Sequence, residues 1–197
     1  SEGPPEVVFL KSSSTTNLPL VKDVLLKLHL RVVHTKGDGH CYIRAIAHHF
    51  PGTHHLTLKQ ELIKYARENK ALYETVSQKS DYGNFMRKLE DKNYNHFGGT
   101  YHFALLMLLK KVRITVLEKV ESRKTPPKVM VTTPEAIFAS CPKLYRALVP
   151  EKTVKIYVLF ERKKQHFSAL DAGVSSMVKR IKRRRKEASK IDFSFNY

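Results

Sequence analysis

The sequence predicts an α+β domain in which a small mixed β-sheet is packed between helices. Three observations support this. Apolar residues at helical spacing crowd the first 111 positions, while β-branched and alternating runs come mostly after them. KIYVLF at 155–160, the charged turn ERKK and QHFSAL at 165–170 together read as a hairpin. A short apolar helix opens at a cysteine, Cys41, directly after a loop with two glycines.

Taken in order, residues 1–17 hold PPEVV and SSSTTN and read as a loose lead-in to a domain spanning 18–176. The pattern LPLVKDVLLKLHL predicts a helix over 18–30, and HTKGDGH at 34–40 a tight loop. CYIRAIAHHF starts the short helix at Cys41, and Pro51 with Gly52 ends it. LKQELIKYARENKALY predicts one amphipathic helix over 58–73, and a further helix is expected over 81–91. After a break at 96–99, TYHFALLMLLKK forms a strongly apolar helix at 100–111 with Thr100 near its cap. Strands follow at 113–117 (RITVL), 129–133 and 155–160.

With 42% hydrophobic residues in 197, the chain can bury one full core. No apolar run approaches the roughly 18 to 20 residues that span a bilayer, and the start lacks the basic-then-apolar pattern of a secretory signal. The two cysteines, Cys41 and Cys141, are too few for a bridge-stapled secreted domain, so an intracellular, cytoplasmic protein with free thiols is expected. The formal net charge is +18, and residues 177–190 (MVKRIKRRRKEASK) carry eight Lys or Arg against one Glu. This basic tail, 177–197, reads as a solvated terminal helix, or as a weak contact to nucleic acid or an acidic partner through 179–186. Aromatic residues are not interleaved with the run, which argues against base stacking.

Cys41 carries the most specific chemistry. A thiol becomes a nucleophile when its environment lowers its pKa or an imidazole takes its proton. Gly37 and Gly39 let backbone N–H groups approach a substrate carbonyl, as an oxyanion hole requires, and Asp38 can hold the loop by bonding its own backbone. Gly37-Asp38-Gly39-His40-Cys41-Tyr42-Ile43-Arg44-Ala45-Ile46-Ala47 resembles the nucleophile signature of the ovarian-tumour (OTU) family of cysteine proteases, usually GDGNC followed by an apolar helix. Phe97-Gly98-Gly99-Thr100, with the helix and strand after it, is similar to the family's WGG segment. Gln165-His166-Phe167-Ser168-Ala169-Leu170 resembles the segment that bears the catalytic histidine. The three blocks stand in the family's order over roughly 30–170.

The resemblance implies a papain-like OTU fold and a deubiquitinase acting on ubiquitin or ubiquitin-like conjugates as a monomer. Cys41 would be the nucleophile and His166 the general base. Backbone N–H groups of Asp38, Gly39 and Cys41 would hold the oxyanion, and Gly37, His40, Phe97, Gly98, Gly99 and Phe167 are candidates to line the substrate cleft. No metal or organic cofactor is implied. The sequence departs from the family pattern at His40 (usually Asn), Phe97 (usually Trp), His102 (often acidic) and Ser168, where Asp or Asn commonly orients the imidazole. Ser168 accepts a hydrogen bond without charge, so it is a weak third member, the site is a dyad, or a carboxylate from elsewhere substitutes.

The other histidines point elsewhere. His48 and His49, like His54 and His55, are adjacent rather than spaced i,i+4, and no further Cys or acidic residue completes a zinc pattern. Cys141 has no glycine loop beside it and reads as a packing or surface thiol. Two other functions remain open at this level: a viral or mobile-element polyprotein protease on the same scaffold, in the host cytoplasm if viral, and a basic nucleic-acid-binding module with a vestigial catalytic signature.

Overall fold

A computed structural model describes residues 17–92 and 99–172. The expected lead-in through residue 16, Phe97, Gly98 and the basic tail lie outside the described residues.

Eight helices and five strands form the described part: α1 Val21–Lys27, β1 Leu30–Val33, α2 Cys41–Ala47, α3 His55–Glu68, α4 Lys70–Val76, α5 Tyr82–Glu90, α6 Thr100–Lys110, β2 Arg113–Val120, β3 Lys128–Thr132, α7 Pro134–Ile137, α8 Pro142–Leu148, β4 Lys155–Glu161 and β5 His166–Ala172. Sequence and structure disagree at two helices. The helix expected over 18–30 ends at Lys27, because His29 adopts a left-handed conformation (φ 54°) and turns the chain so that Leu30–Val33 pair with β5. The helix expected over 58–73 is two. Asn69 leaves helical geometry (φ −126°, ψ 41°), and its side-chain amide donates to the Tyr65 carbonyl at 2.9 Å. The short helices α7 and α8, each with proline in its first turn, were not read from the sequence.

The five strands form one sheet in the order β1-β5-β4-β2-β3. β2 and β4 run parallel, and every other neighbouring pair is antiparallel. The β4–β5 hairpin closes through a 3-10 turn, Arg162–Lys164, and Gln165 (φ 49°).

Side chains alternate across the strands, so the sheet has two differently covered faces. Ile114, Val116, Ile156, Val158, Phe160, Phe167 and Ala169 join the main core with residues of α2, α3 and α6, among them Ile43, Leu58, Leu62, Phe103 and Leu106. Leu117, Val129, Leu159 and Leu170 form a smaller cluster on the other face, covered by Val21, Val24 and Leu25 of α1. Burying each such aliphatic or aromatic side chain is worth about 1.5–3 kcal/mol. That burial fixes which face each β5 residue presents, and it thereby sets the direction of the His166 side chain. No described helix is long and apolar enough to cross a membrane.

Candidate active site

The site is assembled where α2, the loop before it and the start of β5 meet. Gly39 sits at φ 78°, a left-handed conformation that glycine adopts without Cβ strain, and the chain enters α2 two residues later. His40 is the residue before the helix and Cys41 its first residue. Asp38 anchors the loop. Its Oδ1 accepts the His40 N–H at 3.2 Å, and its carboxylate pairs with Arg44 of α2. Arg44 Nε lies 3.1 Å from each Asp38 oxygen, and Nη2 also bonds Oδ2. The Arg44 guanidinium, more than any other neighbour, holds the Asp38 carboxyl below its ordinary value. Arg44 was quoted within the loop signature, but its part in the site emerges only here. The signal was a base six positions after an acid, with a helix start between them.

Cys41 is almost fully buried, at 1% exposure. The backbone at Phe167, the residue directly after His166, and at Tyr42 and Cys41 itself lies close enough to the sulfur to favour its thiolate. A Cβ placed on Gly37 would stand 3.7 Å from His166 Nδ1. Gly37 therefore packs its backbone against the ring that β5 presents. The Thr35 hydroxyl donates to the Phe167 carbonyl and ties this loop to β5. Cys41 and His166, 125 positions apart in sequence, are thus brought to one place by the packing of α2 on β5.

Burial pushes the Cys41 thiol above its ordinary value, with Asp38 adding to the effect and the three backbone bonds opposing it. Burial also lowers the His166 imidazole. Glu161 opposes that shift, while His34 and Lys164 reinforce it. Both shifts favour the neutral forms of the thiol and the imidazole.

Several expected roles change. Ser168 is fully buried, and among the described residues its Oγ has no hydrogen-bond partner, so it does not bond His166. It lies opposite Leu159, in the apolar cluster beneath α1, which leaves it no polar neighbour. Phe167 does not line a cleft. Its ring points to the opposite face of β5 and packs on Phe160 (ring centroids 4.6 Å apart) and Phe103 (5.3 Å). Gly99 stands immediately before α6, with open space where a Cβ would be. Its N–H donates to His102 Nδ1 at 3.1 Å, so the histidine at a position often acidic in the family does a carboxylate's capping work. His102 is buried and meets Tyr42 edge-to-face at 5.3 Å, coupling α6 to α2.

Both cysteines are free, and Cys141 is half-buried at the start of α8. The His54 and His55 rings lie tilted against each other with centroids 4.3 Å apart, and the His55 and His40 ring centroids are 5.9 Å apart. Among the described residues no group of three His, Cys, Asp or Glu could hold a metal ion.

The overall architecture has clear precedents among solved structures. It superposes on the OTU domain of OTUD1 with a TM-score of 0.55 at 16% identity, covering 76% of this chain and 90% of that one. The Hazara virus OTU bound to ubiquitin matches with a TM-score of 0.52 at 16% identity, over 82% and 92% of the two chains. The viral OTU protease from Farallon virus matches with a TM-score of 0.51 at 17% identity, over 72% and 83%. The fold is OTU-like. No protein-family model matches the chain, and no curated protein sequence does. The OTU-like fold, with a small mixed sheet among helices and a cysteine opening a helix, agrees with the sequence expectation. At these identities it establishes the architecture alone.

Proposed function

We propose that residues 18–176 form a cysteine-dependent deubiquitinase that hydrolyses conjugates of ubiquitin or a ubiquitin-like protein. One observation carries the reading: the Cys41 sulfur rests on the Phe167 amide, so the nucleophile and His166 share one junction of helix and strand. The OTU-like fold supports it, and the similar Hazara virus OTU, bound to ubiquitin, suggests the partner.

In the proposed reaction Cys41 Sγ attacks the carbonyl carbon of the modifier's C-terminal glycine while its proton passes to His166. The carbonyl oxygen becomes an oxyanion, held by backbone N–H groups of the 38–41 loop that Asp38 and Arg44 keep in shape. His166 then protonates the leaving lysine amine as the C–N bond breaks, giving a thioester. Water, deprotonated by His166, attacks the thioester carbonyl, and the carboxylate leaves as the Cys41 thiol is restored.

Ubiquitin bearing a C-terminal electrophile tests this directly. Wild-type protein and Cys141→Ala are expected to be labelled once per chain, and Cys41→Ala and His166→Ala to remain unlabelled. Labelling that survives Cys41→Ala overturns the assignment. Cleavage of a flanking precursor without any ubiquitin labelling would favour a polyprotein protease instead.

A further inference from the structure

His166 needs an anionic or hydrogen-bonding partner to hold its ring and to favour the protonated form that appears during acyl transfer. Ser168, two residues along the same strand and on the same face, is sealed among Leu159, Leu117 and Leu170. The neighbouring row of side chains is different. His166 of β5 is registered directly opposite Glu161 of β4, and Glu161 directly opposite Lys119 of β2. Side chains directly opposite on antiparallel strands have Cβ atoms about 4.5–5.5 Å apart and share a face. Glu161 and His166 thus share a face of the antiparallel pair, and Lys119, in register with Glu161 on the parallel strand beside it, extends the polar row across three strands at the end of the sheet where Cys41 lies.

Glu161 is an unusual residue for this place. Its side chain is only 9% exposed, and an ionised carboxylate in such surroundings is costly unless charged partners hold it. Those partners are present. Lys119 Nζ and Lys164 Nζ each lie 3.5 Å from Glu161 Oε2. Lys119 also meets Glu121 at 3.3 Å, and Lys163 meets Glu121 at 3.9 Å, so the row ends in a charged fringe on the surface. A buried carboxylate held by two ammonium groups and registered across the strand pair from an imidazole can act on a general base through its charge.

We propose that Glu161, rather than Ser168, is the carboxylate that positions the His166 imidazole and stabilises its protonated form. This rests on the reading of His166 as the general base. The charged groups facing the ring are Glu161 from β4, His34 from the end of β1 and Lys164 from the hairpin turn, with Lys119 acting through Glu161. Among them Glu161 alone is anionic, so neutralising it removes the one charge that favours the imidazolium. Glu161 is a positioning residue, acting on the reaction through His166.

The test reads the imidazole itself, with no substrate present. The protonation midpoint of His166 is followed by NMR titration of its Cε1–H in wild-type protein, Glu161→Gln, Glu161→Asp and Ser168→Ala. Glu161→Gln is expected to lower the midpoint by about half a unit or more, and Glu161→Asp to restore most of that shift. Ser168→Ala should leave the midpoint within about 0.2 unit, the size of an indirect effect. Should Glu161→Gln fail to fold, Glu161→Met removes the charge at similar volume, as buried ionic groups often tolerate, and carries the same expectation. A midpoint unmoved by the loss of Glu161, or one that falls with Ser168→Ala instead, overturns the proposal. Probe labelling separates the two ideas. If the titration behaves as expected but wild-type protein does not react with the ubiquitin electrophile, the positioning role stands and the deubiquitinase reading fails. If both hold, Glu161→Gln should also label about tenfold more slowly, with Glu161→Asp recovering part of the rate.

Discussion

Replacing Arg44 with Met should release the loop proposed to carry the oxyanion donors, and the loss can be sized from the geometry. Three N–H···O contacts join Arg44 to Asp38, and the two side chains are 27% and 23% exposed. Hydrogen bonds to charged groups contribute roughly 1.5–3 kcal/mol when shielded, and exposed ion pairs about 0–1 kcal/mol. A partly shielded bidentate pair falls between these, at about 1–2 kcal/mol. A double-mutant cycle of Arg44→Met and Asp38→Asn, followed by urea unfolding, measures that coupling without the side chains' other contacts. Its pH dependence has a definite sign. The folded Asp38 carboxyl is held below its ordinary value of 3.8, so the pair stabilises fully above that value. The stabilisation is then lost as pH falls through the lower, folded value. The same variant should slow labelling of Cys41 by roughly tenfold, because about 1.4 kcal/mol of lost loop order is a factor of ten. A coupling below about 0.3 kcal/mol at pH 7, the level at which distant sites appear additive, would refute the view that this pair holds the loop.

Two further expectations concern the fold around the site. Phe167→Ala empties a fully buried position between Phe160 and Phe103, and urea unfolding should show a loss of about 3–5 kcal/mol; a loss under about 1 kcal/mol would mean that the ring does not pack as described. Acid should weaken the fold early. Burial is the leading reason that His40, His49, His55 and His166 all lie below their ordinary value of 6.5, with His55 pushed down to about 4. The unfolded chain therefore takes up protons first, and stability should fall as pH drops from 6.5 toward 4. Solvent screening of these half-exposed rings limits the total to about 2 kcal/mol. A thermal midpoint that stays flat between pH 7.5 and 5 would contradict this.

Much of the site could be read from local sequence because its parts are local. Gly39 marks a left-handed turn, Cys41 begins a run of helical apolar spacing, and KIYVLF followed by a charged turn forms a hairpin whose second strand opens at His166. Each of these depends on backbone preferences and side-chain periodicity within about ten residues. Leu30–Val33 continued a helical apolar pattern in the sequence and became a strand only because β5 offers it an edge to pair with. The break at Asn69 turned on one side chain's bond to a carbonyl four residues back.

The roles of the residues beside His166 were decided by the sheet. Sequence places Phe167 and Ser168 next to the imidazole, but strand alternation sends the Phe167 ring into the aromatic core and seals Ser168 under α1. Glu161 and Lys119 are 5 and 47 positions from His166, and only the registers of two strand pairs set them in one row. The sequence by itself determined a cysteine at a helix start, the glycine loop before it and the histidine at the head of a strand, since short-range conformational preferences specify those. The carboxylate registered opposite that histidine, and the burial that raises the Cys41 thiol and lowers the His166 imidazole, were decided only by tertiary structure. Cross-strand register and solvent exclusion arise from contacts that no local pattern encodes.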